Sequence, residues 1–108
     1  DSRKRIAAMA DAVANKEKPL KERLSAARML RNYTYHHNVP DYLAVIADPS
    51  EEDSLRIALA EALGWFTLSS HRDSIVTSFQ EVAANPGTPE KVKDELLKSI
   101  ARINVYTR

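Results

Sequence analysis

The stretch Leu55-Arg56-Ile57-Ala58-Leu59-Ala60-Glu61-Ala62-Leu63-Gly64 decides how the whole chain is read. Its apolar residues Leu55, Leu59, Ala62 and Leu63 fall at i, i+4, i+7 and i+8, the spacing that lines one side of a 3.6-residue helix, and Glu61 falls toward solvent. Two other stretches follow the same plan. Arg23-Leu24-Ser25-Ala26-Ala27-Arg28-Met29-Leu30 sets its basic residue 33 positions before Arg56, and Lys93-Asp94-Glu95-Leu96-Leu97-Lys98-Ser99-Ile100 sets its own 37 positions after it. A unit recurring at that interval buries its apolar face only against neighbouring copies, so the repeat implies an array.

Size and composition agree. The 108 residues fit one domain, and the chain is 44% hydrophobic and 29% charged with only two glycines, a helical balance. Sixteen basic and fifteen acidic residues are interspersed, which leaves no net field to attract nucleic acid or an anionic membrane. The absence of cysteine removes disulfides, thiol catalysis and Cys-type zinc sites without setting a compartment. No run approaches the ~18 apolar residues of a membrane span, and the N-terminus has no signal-peptide layout.

Six helices and no strand are expected. The first runs from Ser2 to about Asn15 with Ile6, Met9, Ala10 and Val13 on one face; Pro19 opens the second, which ends near Asn32 with Leu20, Leu24, Ala27 and Leu30 inward. Val39 to Ala47 is the third, with Asn38 and Asp41 as cap and supporting carboxylate. Ser50-Glu51-Glu52-Asp53 opens the fourth with a cap and three acids at the positive end of its dipole. Ser70 with Asp73 caps the fifth helix, which carries Ile75, Val76, Phe79, Val82 and Ala83. Thr88-Pro89 begins the sixth, ending near Tyr106.

Aligning the copies makes Asn15-Lys16, Asp48-Pro49 and Asn85-Pro86 equivalent turns. It also places the four-residue excess of the last interval in one extra turn of the Ile75 helix. The helices then alternate B-A-B-A-B-A, each A helix carrying the basic residue and each B helix following it. On that assignment the chain starts with a B helix lacking its A partner and stops with an A helix lacking its B partner. The expectation is a single repeat domain over residues 1–108, belonging to a longer protein or covered at its ends.

The pattern of Leu55 to Gly64, with Asp53 and Asp48 beside it, resembles HEAT repeats of the compact bacterial kind, also found in phycobiliprotein lyases. The copies at Arg23 and Lys93 depart from it, since Arg28 and Lys98 stand at the Glu61 place and neither has the glycine. The resemblance covers nearly the whole chain. It implies an all-α, right-handed α-α superhelix, an α-solenoid of about three helix pairs, with A helices convex and B helices lining a concave groove. For function it implies a non-catalytic scaffold that mediates protein–protein interaction. The alternatives are an accessory, substrate-positioning domain of a multidomain enzyme and a small-ligand or chromophore-handling protein.

In Tyr33-Thr34-Tyr35-His36-His37-Asn38 the adjacent histidines diverge, unlike the i, i+3 or i+4 pairs that share a metal, so His36 and His37 read as solvated loop residues. Tyr33 and Tyr35 align with Phe66 and Leu68, which predicts that they anchor the loop to the core. His71 sits in a first helical turn with no serine or cysteine nucleophile in a suitable context. Trp65 is a partial-core residue or interface anchor, and one indole in a charge-balanced chain does not make a DNA-glycosylase groove. Arg23, Arg56 and Lys93 are expected to pair between repeats with an acid such as Asp53. No catalytic, cofactor-binding or metal-binding residue is assigned. The B helices leave Arg5, Ala8 and Asp11, then Asp41, Ala44 and Val45, then Asp73, Thr77, Gln80 and Glu81 free toward the groove. Small and acidic residues prevail, and Asp41, Ala44, Asp73, Thr77, Gln80 and Glu81 are the candidates for a protein or peptide partner, or an adjoining domain, rather than nucleic acid.

Overall fold

The computed structural model describes residues 2–33, 38–67 and 69–105. Among these residues it is all-helical: α1 (Ser2–Ala14), α2 (Leu20–Tyr33), α3 (Val39–Ala47), α4 (Asp53–Leu63), α5 (Arg72–Ala84) and α6 (Glu90–Val105), with no strand. The one-turn difference expected between the third and fifth helices is present, α3 having 9 residues and α5 having 13.

The helices pack in two rows. In one, α2 lies on α4 and α4 on α6; in the other, α1 lies on α3 and α3 on α5. Across the rows α1 packs on α2, α3 on α4 and α5 on α6, whereas neither α2 and α6 nor α1 and α5 pack extensively on each other among the described residues. The extents of 38 × 33 × 17 Å match a slab two helices thick. Between the rows lie Leu30, Tyr42, Ile46, Leu55, Leu59, Leu63, Ile75, Phe79, Leu96 and Ile103, all fully buried.

The tight pairs therefore join a B helix to the A helix that follows it, one step out of register with the expected A-then-B pairing. The reason is the connecting turn. Residues 15–19, 48–52 and 85–89 repeat one geometry, in which the backbone N–H of the fourth residue donates to the carbonyl of the first at 3.1 Å, Lys18 to Asn15, Glu51 to Asp48 and Thr88 to Asn85. The side-chain oxygen of the first residue accepts the N–H of the third: Glu17 to Asn15 (3.0 Å), Ser50 to Asp48 (2.9 Å) and Gly87 to Asn85 (2.9 Å). This Asx turn needs an Asn or Asp at its first place, which all three copies supply.

Several expected caps are used differently. Asn38 is the N-cap residue of α3 but makes no side-chain cap bond; its side-chain amide donates to Asp11 at 2.8 Å and ties α3 to α1. Ser50 bonds Asp48 within the turn, and the N-cap of α4 is Glu52 without a side-chain hydrogen bond. The Thr88 hydroxyl donates to the Val82 carbonyl at 2.7 Å, and His71 rather than Ser70 is the N-cap residue of α5.

Tyr33 is a correction with a clear cause. α2 continues three residues beyond the point where α4 stops, so Tyr33 stays on the helix at 45% exposure; its counterpart Phe66 has left α4 and turned into the core at 1%. Gly64 permits a close crossing at the end of α4. A Cβ there would lie 2.6–2.8 Å from Arg102 Nη1, Ser99 Oγ and Ser99 Cβ, so α6 approaches the end of α4 where only glycine leaves room. Ser99 Oγ seals the crossing by donating to the Ala60 carbonyl at 2.9 Å.

Candidate functional site

Asp41 and Ala44 on α3, and Asp73, Thr77, Gln80 and Glu81 on α5, are all exposed, on two helices that pack side by side. They face outward because the opposite sides of these helices supply Tyr42, Val45 and Ile46, and Ile75, Phe79 and Val82, to the core. The six divide between two clefts and an open face. Asp41 and Ala44 line a cleft of about 240 Å³ with Ala14, Lys16, Asp48 and Glu51. Glu81 lines a larger one of about 430 Å³ with Ala47, Pro49, Arg56 and Thr88. Asp73, Thr77 and Gln80 remain on the open face of α5.

The two clefts are the same place in successive units. Each lies between the turn of one helix pair and the turn of the next, and Ala14/Ala47, Lys16/Pro49, Ala44/Glu81, Val45/Val82 and Glu51/Thr88 correspond by their distance from the turns. In the first cleft a buried ion pair bridges the units. Arg23 Nε donates to the Val13 carbonyl of its own pair at 3.0 Å, while Nη1 and Nη2 grip Glu51 of the next pair at 2.9 and 2.8 Å. Lys16 adds contacts to Asp48 at 2.8 Å and Glu51 at 3.2 Å. The acid is Glu51, not the expected Asp53, because the fourth place of the Asx turn points back to the preceding pair; Asp53 is exposed on α4.

These contacts set the ionisation of the cluster. The Arg23 guanidinium, with Lys16 behind it, holds the Glu51 carboxyl below its ordinary value against a desolvation cost that acts the other way. Lys16, followed by the Ser50 hydroxyl and N–H, holds Asp48 well below the carboxylate range, and the two acids raise Lys16 in return. In the second cleft only the arginine recurs. Arg56 Nε donates to the Ile46 carbonyl at 2.8 Å, repeating Arg23 and Val13, but Pro49, Asn85 and Thr88 replace the lysine and both acids.

Trp65 is held elsewhere, at the far end of α4. The Arg31 and Arg102 guanidinium carbons both lie 4.6 Å from the ring centroid, one on α2 and one on α6, and Arg31 also bonds Glu61 at 3.1 Å. This half-buried indole is thus a joint between three helices of one row. His71 is half-buried, its backbone N–H donating to Ser69 Oγ at 3.0 Å. Tyr35, His36 and His37 lie outside the described residues. Among the described residues no helix is long and apolar enough to cross a membrane, and no three His, Asp or Glu side chains gather in a way that would hold a metal.

Sequence reasoning passed over Arg56 as a site residue. The signal lay in the turn alignment, where Lys16, Asp48 and Glu51 of the first interface become Pro49, Asn85 and Thr88 in the second. Compared with known proteins, the chain matches no family model, no curated protein and no solved structure.

Proposed function

We propose that the chain is a non-catalytic helical-repeat module that binds a protein or peptide across α3 and α5. In this reading its three helix pairs are HEAT-like and continue one another as a right-handed α-solenoid, with α2, α4 and α6 on the outer side. The observation that carries the reading is that Asp41, Ala44, Asp73, Thr77, Gln80 and Glu81 are all exposed on two helices that pack side by side, with neighbour-on-neighbour packing beneath them. Small and acidic side chains on a rigid helical face suit hydrogen bonding and charge pairing with a basic or polar polypeptide.

The test is capture from native lysate by the wild-type chain and by chains with Asp41→Lys, Asp73→Lys, Gln80→Ala or Glu81→Lys. Partners should be lost on the α3–α5 substitutions and retained with an exposed control substitution on α6, Lys98→Ala. Retention of every partner by all four variants contradicts the reading.

A further inference from the structure

We propose that the cleft around Arg56 is a binding site for a carboxylate. The site rests on the turn geometry and not on the α3–α5 surface, although Glu81 borders both. Arg56 is 2% exposed and lines the cleft. Nε is bound to the Ile46 carbonyl, and neither Nη has a hydrogen-bonding or ionic partner among the described residues.

The protein itself shows what such an arginine takes. One unit earlier, Arg23 holds the equivalent carbonyl with Nε and a carboxylate with both Nη atoms, in a fork that matches the two oxygens of Glu51. Thr88 stands at the Glu51 place and turns its hydroxyl to Val82. The cleft is correspondingly larger, about 430 Å³ against about 240 Å³, and the difference accommodates the carboxylate-bearing end of a side chain. The second interface therefore has the cation, the carbonyl that orients it and the space, with the anion left to be supplied from outside. An acidic side chain on a peptide and a small free carboxylic acid share this chemistry. Glu81 on the wall favours ligands carrying one negative charge over polyanions.

The experiment follows the Arg56 Nε–Hε NMR signal in the isotope-labelled chain at constant ionic strength. The probes are acetate, a blocked Ala-Glu-Ala peptide and its Ala-Gln-Ala counterpart. A saturable shift with both carboxylates and none with the glutamine peptide is the expected result. Tighter binding of the acidic peptide than of acetate assigns the site to a polypeptide partner, and equal binding assigns it to a free small acid. Thr88→Glu, which places the carboxylate within the chain, is expected to move the Arg56 signal toward its bound position without any probe and to abolish the titration. Absence of saturation by either carboxylate, or an undiminished titration in the folded Thr88→Glu chain, overturns the site. Because these readouts are local to Arg56, they are unaffected by whether α3 and α5 bind a partner.

Discussion

Arg23 and Glu51, 28 residues apart in sequence and both nearly buried, form a two-pronged ion pair at 2.9 and 2.8 Å that joins the first helix pair to the second. Removing one member leaves the other charge in a space from which water is largely excluded. Glu51→Gln is expected to cost about 3 kcal/mol of unfolding free energy, read by urea titration. A loss below about 1 kcal/mol would place the pair with ordinary surface contacts.

The same cluster sets an acid limit. Glu51 and Asp48 have folded-state pKa values below their ordinary 4.5 and 3.8, so their contribution is complete above those values and is lost as pH falls toward the depressed ones. Lys16 is raised above 10.5, so its contribution is complete below that value and disappears as pH rises past the raised one. Stability measured against pH should fall below about pH 4, and the fall should be shallower in Glu51→Gln. An unchanged acid slope in that variant would contradict the assignment.

At the other end of α4, Gly64 is required by space and not by backbone conformation, since its φ of −62° is open to any residue. Gly64→Ala is expected to destabilise by about 1–2 kcal/mol despite alanine's better helix propensity, because Ser99 and Arg102 must give way. Thermal unfolding checks the sign, and a stabilised variant would show that α6 yields easily.

Trp65 is the chain's single tryptophan, so its fluorescence reports the joint between α2, α4 and α6 without labelling. Arg31→Ala removes one of the two stacked cations and uncovers a ring face. The emission is expected to shift red with a loss of about 0.5–1 kcal/mol. An unaltered spectrum would mean that Arg31 does not cover the indole.

How far the sequence reveals this arrangement follows from its repeat. Helix spans, the extra turn of α5 and the three equivalent turns were legible, because apolar spacing and an Asn or Asp at each turn's first place are local signals. What failed were the outcomes decided by neighbours. Tyr33 and Phe66 occupy equivalent positions, but the length of the preceding helix sends one to solvent and the other to the core. Asp53 looked like the partner of the repeated arginine, yet a turn that points its fourth residue backward gives that place to Glu51. On α3 and α5 the core pattern marks Asp41, Ala44, Asp73, Thr77, Gln80 and Glu81 as exposed, but it places Val45 outward too, and Val45 is buried. Arg56 was missed because its distinction is a partner replaced by Thr88, visible only once the turns are superposed.

The central claim, that successive helix pairs meet through one repeated joint left without its acid at Arg56, is tested most directly by a double-mutant cycle of Thr88→Glu with Arg56→Gln, read by urea unfolding. Thr88→Glu is expected to stabilise the chain when Arg56 is present and not when it is replaced, with a coupling of about 1–3 kcal/mol. Equal effects of Thr88→Glu in both backgrounds would contradict the equivalence of the two joints.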